Sequence, residues 1–203
     1  PDGFAPVDGD DSRLRAMLSL DSVDFEACPG SGKTTLLVAK LAIMALHWPS
    51  RQQGICVLSH TNAARNEINT KLSNSTAGVS LSRYPHFVGT IHSFINEYLA
   101  LPWLRSKGIE VRCIDTQIAL MKRWFMLSGS VRRTLQLNGL SETCLSYTKP
   151  DYSGGKTVRF GPHTPTYQAL LDARRTCSEQ GFFCFDEMFV WANELLDMRP
   201  ETA

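Results

Sequence analysis

The sequence predicts an α/β protein organised around a parallel sheet, and three observations carry that expectation. A short alternating segment, residues 23–27, runs into a glycine-rich turn and then into a long run, Thr34–His47, that is apolar at helical spacing. The continuous apolar run Gly54–Ser59 has the look of a buried parallel strand and leads into a helical pattern over Asn62–Leu72. Phe87–Thr90 is a third short strand followed by a third helix, Ile91–Leu101. Strands alternating with helices favour a parallel sheet with right-handed crossovers. Ligands of such sheets sit beyond the carboxyl ends of the strands.

Residues 1–20 are polar and acidic and offer only a short helix at 12–20. Trp48-Pro49-Ser50 ends the first long helix, because proline cannot continue it. Ala63, Ala64, Ile68 and Leu72 share one side of the second, and Phe94, Ile95, Tyr98 and Leu99 one side of the third. From about residue 103 the alternation stops: a short strand is expected over 109–114, a helix over 115–127, a loop-rich stretch over 128–165, and helices over 166–180 and 186–197. Asp186 reads as the N-cap of the last helix. The expected organisation is a nucleotide-binding part over 1–102, an inserted mainly helical subdomain over 103–180, and a return helix over 181–203.

Bulk composition sets limits. The 203 residues suffice for one sizeable domain or one with an insertion, and 43% of them are hydrophobic, enough for a core. The formal net charge of +1 gives no global basic field, so any nucleic acid must be held by a local patch. No apolar run is long enough to span a membrane, and six cysteines without a Cys-x-x-Cys pair argue against a metal site and for reduced thiols in a cytoplasmic protein. A chain that begins at Pro1 rather than Met reads as a piece of something longer.

The strongest chemical signal is Ala27-Cys28-Pro29-Gly30-Ser31-Gly32-Lys33-Thr34, a phosphate-binding (Walker A) loop in which Ala27 stands for the first glycine. Gly30 and Gly32 let the backbone turn its N–H groups toward phosphate oxygens, and the following helix points its positive end at the same anion. Gly30, Ser31, Gly32, Lys33, Thr34 and Thr35 are the expected nucleotide-binding residues. Lys33 adds a point charge for the outer phosphates and Thr34 a hydroxyl for Mg²⁺, which makes these two the candidate catalytic residues and ATP with Mg²⁺ the expected cofactors.

Two further strand-to-helix junctions carry short polar groups at helix starts: His60-Thr61-Asn62 and Thr90-Ile91-His92. Such groups suit a phosphodiester backbone, and His60 suits stacking on a base; helix capping by Thr61, Asn62 or Thr90 explains the same residues without function.

Taken together, the three segments resemble the first RecA-like domain of UvrD/Rep-type superfamily 1 DNA helicases. That family's loop reads Ala-x-x-Gly-x-Gly-Lys-Thr, which accounts for Ala27. Its Thr-Asn-x-Ala-Ala-x-Glu-Met motif is matched by Thr61–Ile68 with the two alanines shifted by one, and its Gly-Thr-Phe-His-Ser by Gly89-Thr90-Ile91-His92-Ser93. Weaker likeness extends through Ile114-Asp115 and 167–196. The resemblance implies a RecA-like P-loop NTPase sheet with an inserted helical subdomain. It further implies contact of His60, Thr61, Asn62, Thr90 and His92 with single-stranded or partly duplex DNA, and a second RecA-like domain as partner. Such motors often work beside a nuclease, though no residue here argues for one, and no membrane is implied.

The sequence departs from that pattern in two places. No Gln precedes the loop to read adenine, and the family's Asp-Glu-x-Gln motif is missing, so the 203 residues are expected to bind nucleotide weakly and not to turn it over alone. Asp186-Glu187 after an apolar run imitates a metal-binding strand end, and Gly154-Gly155-Lys156-Thr157 imitates a second loop but reads as a surface turn. The basic pairs Lys122-Arg123, Arg132-Arg133 and Arg174-Arg175 read as solvated helix faces, with duplex binding as the sharper option. The alternative functions are a P-loop small-molecule kinase or regulatory NTPase, and a DNA-binding module without catalysis.

Overall fold

A computed structural model describes residues 12–22, 24–26, 28, 30–73, 76–155 and 159–200. Its contacts divide the chain into two units, Pro1–Ile91 and His92–Ala203.

The first unit carries α1 (Ser12–Leu18), α2 (Lys33–His47), β1 (Cys56–Ser59), α3 (Asn62–Ser73), α4 (Thr76–Leu81) and β2 (Phe87–Thr90). β1 and β2 pair in parallel, from Cys56 opposite Phe87 to Ser59 opposite Thr90. The ladder starts with the His86 imidazole, whose Nδ1 accepts from the Ile55 amide at 3.0 Å, and continues with the Phe87 amide donating to the Ile55 carbonyl at 2.9 Å. Gly54 lies so close to the Pro85 carbonyl that a Cβ there would meet its oxygen at 1.7 Å. Leu41 of α2, Ile55 and Val57, Ile68 and Leu72 of α3, and Leu81 of α4 form the core.

Two expectations change here. The run 54–59 was expected to be buried throughout, yet Ile55 and Val57 are buried while Cys56 and Leu58 are exposed. Its residues alternate because the helices of this core cover one face of the strand. The strand expected at 23–27 is not seen: Asp24, Phe25 and Glu26 carry no strand pairing, and Val23 and Ala27 lie outside the described residues.

The second unit begins within α5 (Ile91–Phe94), which passes into a π-helical turn, Ile95–Ala100, and then into α6 (Leu101–Ser106). There follow β3 (Cys113–Ile114), α7 (Thr116–Met126), α8 (Gly129–Leu137), a short 3₁₀ turn at Glu142–Leu145, α9 (Pro165–Glu179), β4 (Phe182–Phe183) and α10 (Phe185–Met198). β3 and β4 pair in parallel. Asp115 caps α7, accepting from the Ile118 amide at 2.9 Å, and Thr164 caps α9, accepting from Tyr167 at 3.3 Å. Gly181 takes a φ of +83° and backs onto the Glu110 carbonyl, so a side chain there is excluded twice over. One core cluster joins α7, α8 and α9 through Leu120, Leu135 and Leu170; another joins Ala100 and Leu104 to Met188, Trp191 and Ala192 of α10.

The stretch 128–165 is less loop-like than its glycines suggest. Ser128 accepts from the Val131 amide and starts α8, whose Leu135 is buried. Gly129 falls in the first turn of α8, next to its N-cap, rather than in the helix interior. The basic pairs also divide: Arg123 and Arg174 are wholly buried, whereas Arg133 and Arg175 are exposed. Arg123 pairs with Glu187, Nη2 to Oε2 at 2.8 Å, and its Nη1 donates to the Leu145 carbonyl at 3.1 Å. Arg174 donates to the Cys144 carbonyl at 2.7 Å and to Leu145 at 3.2 Å. These two guanidinium groups satisfy carbonyls of the 3₁₀ turn from inside, which removes them from any ligand surface.

Candidate functional site

The glycine loop is closed by its own backbone. Gly30 and Gly32 have φ of +81° and +88°, with open space where a Cβ would stand. The left-handed conformation, rather than crowding, is therefore what asks for glycine. Gly32 is the N-cap of α2, so Lys33 and Thr34 occupy its first turn, where amides lack helical partners. The Cys28 carbonyl accepts from the Ser31 amide at 3.2 Å and from Lys33 Nζ at 2.9 Å. Ser31 Oγ is buried and meets no hydrogen-bond partner among the described residues.

A cleft of about 460 Å³ opens beside this turn, lined by Arg13, Phe25, Glu26, Gly30, Lys33 and Thr35 among others. That volume lies within the roughly 300–1,000 Å³ of small-ligand sites. The chemistry present fits a phosphate: an exposed ammonium, the amides of a helix's first turn and an orphaned hydroxyl.

A second cleft of about 450 Å³ brings Lys33 and Thr34 together with Ser59, His60, Thr61 and Glu67. Glu67 pairs with Lys71 at 2.8 Å, which holds its carboxyl below the usual carboxylate range, and the neighbouring Thr34 hydroxyl lowers it slightly further. The loop and the His60–Asn62 junction thus share one wall within the first unit.

Thr61 caps α3: its Oγ1 accepts from the Ala64 amide at 3.2 Å and its carbonyl from Arg65 at 3.1 Å. Capping and exposure coexist, since His60, Thr61 and Asn62 all remain exposed. The Ser59 hydroxyl lies within 3.1 Å of the Thr61 carbonyl and 3.3 Å of the Gly89 carbonyl, and so links the ends of both strands. Sequence reasoning assigned Ser59 no role; a small hydroxyl as last residue of a strand was the available signal. The parallel register sets Ser59 beside Thr90. Thr90 itself is buried at 7% exposure. His92, exposed at the start of the second unit, packs edge-on against Phe189 with centroids 4.8 Å apart, and against Phe185 at 6.3 Å.

The imitations resolve differently. Glu187 is 1% exposed and engaged with Arg123, and its Oε2 also accepts from the Cys184 amide at 2.9 Å, so it serves the helix start and not a metal. Asp186 was expected to cap α10, but Cys184 holds that place, because Glu187 three residues on completes a capping box with it. Among the described residues no group of three or more His, Cys, Asp or Glu could hold a metal ion. Of the second glycine loop, Gly154 and Gly155 take left-handed φ, while Lys156–Val158 lie outside the described residues.

The first unit thus combines a parallel strand pair, a glycine turn opening a helix, and polar strand ends side by side. A sequence profile of the UvrD/REP helicase N-terminal domain matches residues 13–142, and the chain belongs to that family. It is also 34% identical over 67 residues to the ATP-dependent DNA helicase SRS2 of Saccharomyces cerevisiae, a stretch that is 33% of this chain and 6% of that protein.

Proposed function

We propose that this chain is the nucleotide- and strand-binding part of an ATP-dependent DNA helicase or translocase acting on single-stranded DNA. In this reading the fold is a RecA-like P-loop sheet over 1–102, with a mainly helical insertion over 103–180 and a return helix over 181–203. Membership of the UvrD/REP family, joined to a cleft that unites Lys33 and Thr34 with Ser59–Thr61, is the observation that carries it.

Gly30, Ser31, Gly32, Lys33, Thr34 and Thr35 hold ATP, with Thr34 offering its hydroxyl to Mg²⁺. ATP, when bound, supplies the free energy of translocation. The Lys33 ammonium, held at the Cys28 carbonyl, would turn from it toward a bound phosphate. His60, Thr61, Asn62, Thr90 and His92 contact the strand through short polar groups and through His60 stacking. Hydrolysis needs the family's Asp-Glu-x-Gln motif, its Asp for Mg²⁺ and its Glu for the attacking water, and a second RecA-like domain, and the motif is missing from the 203 residues.

Fluorescence anisotropy with a labelled oligo(dT) tests this. Replacing Thr90 and His92 by alanine weakens binding several-fold, while Lys33→Ala weakens nucleotide binding and spares the strand. Unchanged affinities in both variants, or brisk ATP turnover by these residues alone, would overturn the reading.

A further inference from the structure

We propose that Phe189, with Phe185 behind it, is a positioning residue that fixes the His92 imidazole for its contact with single-stranded DNA. This rests on the strand-binding role of His92 proposed above. His92 lies on a short stretch of helix, α5, only four residues long. Among the described residues the aromatic neighbours of its ring both come from α10. The Phe189 centroid is 4.8 Å away at an interplanar angle of 85°, and Phe185 stands at 6.3 Å and 90°. Both are edge-to-face arrangements of the favoured kind, with the rings within about 4.5–7 Å.

An exposed histidine otherwise samples several rotamers, and fixing one of them when DNA binds reduces affinity. Two perpendicular walls remove most of that freedom beforehand. The walls are themselves anchored. α10 packs along the π-helical turn and α6 through Met188, Trp191 and Ala192. Its first turn is fixed by Glu187 on Arg123 and by the Phe185 amide donating to Thr116 Oγ1 at 3.1 Å. A helix remote in sequence thereby sets the direction of a motif side chain, and no contact between Phe189 and DNA is required.

The test compares His92→Ala, Phe189→Leu, Phe189→Tyr and the double variant His92→Ala/Phe189→Leu in the full 203-residue chain. Affinity for labelled oligo(dT) is read by anisotropy, and the His92 ring protons by NMR. His92→Ala is expected to weaken binding about fivefold, as loss of one hydrogen-bonding contact to the strand does. Phe189→Leu is expected to weaken it about twofold and to shift the His92 ring protons as the ring current disappears. Phe189→Tyr keeps both near wild type, and the double variant binds no worse than His92→Ala. A Phe189→Leu variant with wild-type affinity beside a weakened His92→Ala, or losses that multiply in the double variant, would overturn the positioning role alone. If His92→Ala leaves affinity unchanged, the strand-contact reading falls and the positioning role with it.

Discussion

Arg123 and Glu187 form an ion pair in the second unit at 0% and 1% exposure, across 64 residues of sequence. Burial alone would loosen the arginine's proton, but the Glu187 hydrogen bond and charge outweigh it and hold the proton more tightly. Burial pushes the Glu187 carboxyl up, and the guanidinium draws it back. The pair ties α7 to the first turn of α10. Glu187→Ala strands a buried cation and should destabilise the chain by about 3–5 kcal/mol, whereas Arg123→Met with Glu187→Leu should recover most of that loss. Urea unfolding followed by circular dichroism decides: a single variant as stable as the wild type would deny the pair its role.

The loop makes its own demand. Lys33→Ala removes a charged donor worth about 1.5–3 kcal/mol to a phosphate, so nucleotide affinity should fall about tenfold or more with the melting temperature unchanged. Titration of a fluorescent ATP analogue measures it.

Gly54→Ala should be among the worst small changes in the first unit. Its new methyl group would sit 1.7 Å from the Pro85 oxygen, and the two segments leading into β1 and β2 would have to part. A loss of about 1–3 kcal/mol is expected by thermal denaturation, against about 1 kcal/mol for Gly32→Ala, where only the left-handed backbone objects.

Thiol labelling reads burial directly. Cys28 and Cys56 are exposed, while Cys144, Cys177 and Cys184 are buried. Burial, the largest influence, pushes the Cys184 thiol up to about 12. A raised value means less thiolate at every pH below it. Raising the pH to about 9, past the ordinary thiol range, should therefore leave Cys184 unmodified by iodoacetamide until the chain unfolds. Mass spectrometry of the native protein checks this, and early Cys184 labelling would contradict its burial.

Local periodicity was enough for much of the fold. β2 falls on Phe87–Thr90 as expected, and the helices after Asp115, Thr164 and Cys184 lie within a residue or two of their expected bounds, because caps and apolar spacing are written locally. The sequence also shows both strand ends that the register brings together at Ser59 and Thr90. What was illegible depends on distant partners. Nothing near Arg123 or Arg174 reveals that their charges turn inward, since Glu187 and the Cys144–Leu145 carbonyls are supplied by other segments. α8 was hidden by Gly129 at its start and Gly139 just past its end, places where glycine costs little. Cys184 as a cap departs from ordinary preference and works because Glu187 returns to its amide.

The π-helical turn at Ile95–Ala100 acts as an angular spacer. Its i→i+5 bonds enclose one residue more than an α-helix would. Deleting a single residue there would take up the extra residue and restore ordinary winding, so His92 would keep its bearing on the side where α10 meets it. The turn thus absorbs a one-residue difference in length that in an ordinary helix would turn the imidazole aside by about 100°.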